Sequence, residues 1–124
     1  MPKPPNEIVQ LSFDFAVDTV RLVKKLPRSS DGLVLGRQLA RSGTSIGANV
    51  EEAQGARTRP ECVNLMNIAK REAREACYWL RVLRSADVIP QSAAARLLDQ
   101  GDRLVRLLTS IVKTSEQRSA NPHP

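Results

Sequence analysis

Residues 41–49 read "RSGTSIGAN", Arg41 to Asn49. The register is helical, because Ser42, Ile46 and Asn49 return to one face. Yet six of the nine residues are Ser, Gly, Thr or Ala. Glycine inside a helix costs about 1 kcal/mol against alanine, so Gly43 and Gly47 imply a neighbour that approaches closely. Extended in both directions, the pattern predicts a helix from about Leu33 to Gln54. Leu35, Leu39, Ser42, Ile46, Asn49 and Ala53 share one face, and Gly36, Ala40, Gly43 and Gly47 form a stripe of small residues beside it. Asn49 falls on the core face and is expected to be buried and hydrogen-bonded, fixing helix register. Gly55 in "QGARTR" is a natural terminator.

Three further helices flank this one. The first is predicted from about Glu7 to Leu26, with Ile8, Leu11, Phe15, Leu22 and Leu26 at helical spacing and Val9, Phe13, Ala16, Val20 and Val23 widening the stripe. Pro27 in "PRSSDG" cannot continue it, and Ser30 or Asp31 can cap the next helix. The third runs from about Arg59 to Ser85, opened by Thr58 and Glu61 at capping-box spacing with Pro60 in the first turn. Its core stripe is Cys62, Leu65, Ala69, Ala73, Ala76, Leu80 and Leu83. After the turn "ADVIPQS", the fourth covers about Gln91 to Thr114, with Leu97, Gly101, Leu104, Leu108 and Ile111 inward. Four helices joined by short turns imply an all-α, antiparallel up-down-up-down four-helix bundle over residues 7–114. Residues 1–6 are expected to be flexible, and the polar tail 115–124, "SEQRSANPHP", disordered.

Composition narrows the function classes. The 124 residues carry a formal charge of +6 and a pI of about 10.0, which favours anionic partners, nucleic acid first. Aromatics are only 3%, too few for an extended single-strand stacking platform. No apolar run is long enough to span a membrane, and "MPKPPNEI" lacks the apolar stretch of a signal peptide. A cytoplasmic protein with no membrane contact is expected. Cys62 and Cys77 lie about 22 Å apart along one helix, too far for a mutual disulfide, and read as small core residues.

The only histidine, His123, sits in the tail. That removes a Glu-x-x-His di-iron site and a histidine base or triad. No phosphate-cradling loop or Cys-x-x-Cys pair occurs. No enzymatic activity, cofactor or metal is expected. Asn49, Glu52, Glu72 and Glu75 form a polar group that an enzyme reading would need a metal to use. The simpler reading is ion pairing, Arg71 with Glu75 one turn away.

The basic residues show more order. Arg96, Arg103, Arg106 and Lys113 line the fourth helix, Arg74, Arg81 and Arg84 the third with Lys70 leading, and Arg37 and Arg41 the second. Such stripes can track phosphates without reading bases. The alternative is a solvated face in which Asp99 and Asp102 neutralise the arginines four residues on.

"QLARSGTSIGANVEEAQGARTRPECV" resembles the signature of the bacterial four-helix-bundle family first noticed in intervening sequences of 23S ribosomal RNA genes. The matching positions are Gln38 and Leu39, Arg41 and Ser42, Ser45 and Ile46, Asn49 and Val50, Glu52, and the turn Gly55 to Thr58. "NIAKREAREACYWLRVL" is similar to the family's third helix through Ile68, Ala69, Glu75 and Leu80, and "FDFAVDTVRLV" fits its first. The likeness covers about residues 8–112. Ala53 replaces a usual glycine, and Cys62 stands where an aromatic is common. The resemblance implies a left-handed bundle, a ring-like homopentamer and no established enzymatic activity. A group similar in fold, the accessory proteins of diversity-generating retroelements, is basic and binds nucleic acid and a reverse transcriptase.

The combined expectation is a non-enzymatic homo-oligomer, pentamer favoured, binding RNA or DNA through Arg74, Arg81, Arg84, Arg96, Arg103, Arg106 and Lys113. Gly36, Ala40, Gly43, Gly47, Asn49, Ala69 and Ala73 are expected to support close packing within or between subunits. The alternative is a scaffold for a protein partner with no nucleic-acid role.

Overall fold

Ser29 opens the helix that holds the small-residue stripe. Its hydroxyl accepts from the Gly32 N–H at 3.3 Å, so α2 spans Ser30–Gln54. The cap thus falls one residue before the expected Ser30 or Asp31. In the computed structural model, which describes residues 4–120, α1 is Asn6–Lys24, α3 is Arg59–Ser85 and α4 is Gln91–Ala120. Thr58 caps α3 by accepting from the Glu61 N–H at 3.2 Å. The Glu61 carboxylate accepts in return from the Arg57 N–H at 3.0 Å, one residue outside the usual capping box. Gly55 does end α2, but at φ −98 it uses none of glycine's left-handed freedom. The one left-handed non-glycine residue described is Asp87, φ 59, in the turn between α3 and α4; short polar side chains tolerate that region best.

Two boundaries differ from expectation. Pro4 is buried and Asn6 is already helical, where a flexible segment through residue 6 is expected. At the other end α4 continues to Ala120, six residues past Thr114, so the first part of the expected tail is helical. Residues 1–3 and 121–124, including His123, lie outside the described residues.

The helices pack in a ring: α1 on α2, α2 on α3, α3 on α4, and α4 back on α1. Among the described residues the backbones of the diagonal pairs, α1 with α3 and α2 with α4, do not come within 8 Å Cα to Cα. Neighbours are antiparallel, since Gly43 faces Thr19 while Gly47 faces Ser12, and Arg96 reaches Asp18 while Arg103 reaches Glu7. This is the four-helix bundle read from the sequence. Its core comprises Ile8, Phe15 and Leu22 from α1, Leu39, Ile46, Val50 and Ala53 from α2, a small-residue row on α3 that includes Ala69, Ala73 and Ala76, and Leu97, Leu104, Leu108 and Val112 from α4. On α3 Met66 replaces the expected Leu65 as a core residue, and on α4 Val112 replaces Ile111.

The stretch 41–49 explains how α1 comes so close. The hydroxyls of Ser42, Thr44 and Ser45 fold back to the carbonyls of Gln38, Ala40 and Arg41 at 3.0, 2.7 and 2.7 Å. The Asn49 amide donates to the Ser45 carbonyl at 2.8 Å. These side chains bond to their own helix rather than project from it. Asn49 is half-buried, and its bond among the described residues stays within its own helix, so it satisfies α2 and does not tie α2 to a neighbour. At Gly43 an added Cβ would sit 2.6 Å from Thr19 Cγ2, closer than packed carbons approach. On the opposite pair of helices, Gly101 plays the same part for Cys77, whose Sγ lies 2.6 Å from the missing Cβ.

Candidate functional site

Four seams run down the bundle: two are ion-paired, one is basic and one is apolar. The α2–α3 seam is ion-paired. Arg41 from α2 bonds Glu72 at 3.1 Å and also pairs with Glu75. Glu75 accepts in addition from the Trp79 indole N–H at 3.2 Å. The partner of Glu75 is thus Arg41, thirty-four residues away, and not Arg71 as local spacing suggested. Glu52 is exposed and takes no part in this network. Among the described residues no group of three or more His, Cys, Asp or Glu is placed to hold a metal ion. The carboxylates here are structural partners of an arginine.

The α1–α4 seam is also ion-paired. Arg96 bonds Asp18 at 3.4 Å, supported by Gln100 on the same carboxylate at 3.2 Å. Arg103 bonds Glu7 at 2.7 Å. The expected partners Asp99 and Asp102, each one turn before an arginine, make no ion pair among the described residues. Tertiary neighbours present better-placed carboxylates than the helix's own surface.

The α3–α4 seam is basic. Cys77 Sγ contacts Asp102 Oδ1 at 3.9 Å and abuts Gly101, which fixes how the two helices face. Lys70, Arg74, Arg81 and Arg84 lie seven or fewer residues from Cys77, on its side of α3 by helical spacing. Arg106 follows Asp102 by four residues, and Lys113 follows Arg106 by seven, which keeps both on the α3 side of α4. None of these six has a carboxylate partner among the described residues. The single arginine stripe read on α4 is therefore two: Arg96 and Arg103 turn to α1 and are neutralised, while Arg106 and Lys113 turn to α3. Burial pushes the Cys77 thiol up to about 11, reinforced by the Asp102 carboxylate and opposed by Arg81. The thiol stays protonated and inert in the seam.

The α1–α2 seam, opposite the basic one, is apolar. Phe13 is 58% and Val20 41% exposed. Phe13, Val9, Ala16, Gly47 and Ala48 line one stretch of a groove that continues through Ala16 and Thr44 to Val17 and Val20. Glu51 stands at one end, Arg21 and Lys24 at the other. Of the predicted packing residues, Gly36, Gly43, Ala69 and Ala73 are buried, and Ala40, Gly47 and Asn49 half-buried. Apolar spacing predicts Phe13 and Val20 in the inward stripe of α1; Ser12 and Thr19 are buried there instead.

No helix among the described residues is long and apolar enough to cross a membrane. A family model described as 23S rRNA-intervening sequence protein matches residues 5–110. A crystal structure of a protein with unknown function from the S23 ribosomal protein family of Bacteroides thetaiotaomicron is similar to this chain, with 38% identity and a TM-score of 0.82. The alignment covers 87% of this chain and 96% of that one. No curated protein matches the chain.

Proposed function

The chain belongs to the 23S rRNA-intervening sequence protein family, and from that premise and the four seams we propose a non-enzymatic, homo-oligomeric protein that binds structured nucleic acid through its α3–α4 seam. The observation that carries this reading is the run of Lys70, Arg74, Arg81, Arg84, Arg106 and Lys113 without carboxylate partners among the described residues. An unpaired guanidinium can displace counterions from phosphates at no cost in broken ion pairs. Arg96 and Arg103 would first have to leave Asp18 and Glu7, so they contribute less.

The apolar α1–α2 groove supports self-association, with a second copy as its occupant. Its ends carry opposite charge, Glu51 against Arg21 and Lys24; because groove-to-groove contact would close as a two-fold dimer, a ring requires the groove to receive a different face of the next copy. A homopentamer is the proposed assembly, with a mass near five times 13.7 kDa. This leaves the basic seams on the outside, where repetition raises avidity. The protein resides in the cytoplasm in this reading.

The test is fluorescence anisotropy on a labelled RNA hairpin, across 50–200 mM salt, with light scattering for mass. Engagement of six phosphates gives a log–log salt slope of about −5. A flat salt dependence or absent binding removes the nucleic-acid role. The exposed Phe13 and Val20 favour one other reading, a protein-interaction scaffold; its complexes would be insensitive to salt.

A further inference from the structure

The cations of the α3–α4 seam suit phosphates. One side chain on the same face suits a base. Tyr78, the chain's only tyrosine, is 50% exposed on α3. Arg74 precedes it by four residues and Arg81 follows by three, so helical spacing places a cation on either side of the ring. The Arg81 guanidinium carbon lies 5.9 Å from the ring centroid. Next to the ring is an open concavity of about 470 Å³, lined by Tyr78, Arg81, Val82, Ser85 and Ala86.

The ring is also braced. Trp79 meets it edge to face, with centroids 5.1 Å apart at 70°. Trp79 is in turn tied to Glu75 at 3.2 Å, and Glu75 to Arg41 of α2. The ion-paired seam thus holds the aromatic pair in place, which lowers the entropy lost when a ligand stacks on it.

We propose that Tyr78, framed by Arg74 and Arg81, is a stacking site for one unpaired base of the nucleic acid. The inference rests on the nucleic-acid reading and narrows its ligand class. Base-paired stems offer the phosphates that the seam's cations take, but their bases are stacked on each other. A loop or bulge can splay a base onto an aromatic ring while the flanking phosphates meet arginines. Ser85 supplies a hydroxyl at the edge of the same concavity. A single exposed ring holds a single base, so the preferred ligand is a folded RNA or DNA carrying an unpaired nucleotide and not a long single strand.

The experiment compares a blunt RNA duplex with a hairpin of the same stem and an unpaired loop, using the full chain. Stacking of one base on an aromatic is worth about tenfold or more in affinity. The wild-type protein should bind the hairpin about tenfold more tightly than the duplex. Tyr78→Ala should abolish that preference with duplex affinity unchanged, and Tyr78→Phe should retain it. Circular dichroism checks that both variants fold. Trp79, the only tryptophan, should change emission with the hairpin but not with the duplex. Equal wild-type affinity for the two ligands overturns the inference, as does a preference that survives Tyr78→Ala; the ring would then be free for a protein partner. Failure to bind either oligonucleotide removes the nucleic-acid reading itself, and this inference with it.

Discussion

Thr19 Cγ2 occupies the space that a side chain at Gly43 would need: a Cβ built there would lie 2.6 Å from that methyl and 3.0 Å from Thr19 Oγ1. The glycine of α2 and the threonine of α1 are one packing unit. Gly47, one turn on, has only an ordinary contact with the Ser12 carbonyl oxygen at 3.4 Å. The two glycines should therefore respond oppositely to alanine. Gly43→Ala should lose about 1–2 kcal/mol, because overpacking outweighs the gain in helix propensity. Gly47→Ala should be neutral or gain up to about 1 kcal/mol. Gly43→Leu should prevent folding or assembly. Urea midpoints decide it, and equal shifts for the two alanine variants would refute the close-approach account.

Thr19 has a second consequence. It is fully buried, and among the described residues its hydroxyl oxygen has no hydrogen-bond partner. An unsatisfied buried hydroxyl costs about 1–3 kcal/mol. Thr19→Val keeps the β-branched shape against Gly43 and removes that cost, so the melting temperature should rise. Thr19→Ser keeps the hydroxyl and loses the methyl, so it should fall. A destabilised valine variant would show that the hydroxyl is satisfied after all.

The four helices were legible because each carries an uninterrupted apolar period between strong punctuation such as Pro27, Thr58–Pro60 and Pro90. The exact core of α1 was not. Its apolar residues form a wide stripe, and hydrophobicity drew the reading toward Phe13 and Val20. The small residues of α2 demanded small polar partners instead, and Ser12 and Thr19 supplied them. The electrostatics were less legible still. Spacing on one helix suggests partners one turn away, and Asp18 does meet Arg21 at 3.7 Å, but Asp18 also pairs with Arg96 and Glu7 with Arg103 across distances of 78 and 96 residues. Whether a residue faces one neighbour helix or the other depends on the ring of contacts. That is why one apparent arginine stripe on α4 divides between two seams.

Cys77 links the basic seam to alkaline pH. Its thiol is raised from 9.0 to about 11, mainly by burial. The folded state thus holds this proton more tightly than the unfolded chain does. The resulting stabilisation is full below pH 9 and is lost as pH rises through about 11. The stability difference between wild type and Cys77→Ala should shrink across that window. Alkylation of Cys77 by iodoacetamide, followed by peptide mapping, should keep accelerating to about pH 11. Levelling near pH 9 would show an ordinary exposed thiol.

The paired and unpaired arginines of α4 make the sharpest comparison. Arg106→Gln with Lys113→Gln removes two cations that hold no carboxylate. Stability should be unchanged, and the salt slope of RNA binding should fall by about 2. Arg96→Gln with Arg103→Gln removes the same formal charge from a seam where it is already neutralised by Asp18 and Glu7. Those exposed pairs contribute at most about 1 kcal/mol each, so stability should drop slightly while the salt slope barely moves. Net charge is equal in the two double variants, so long-range attraction cannot separate them. Only the position of the cations can. Equal losses of slope would mean that phosphates break the α1–α4 ion pairs on binding, and the ligand would then lie across α4 rather than along the α3–α4 seam.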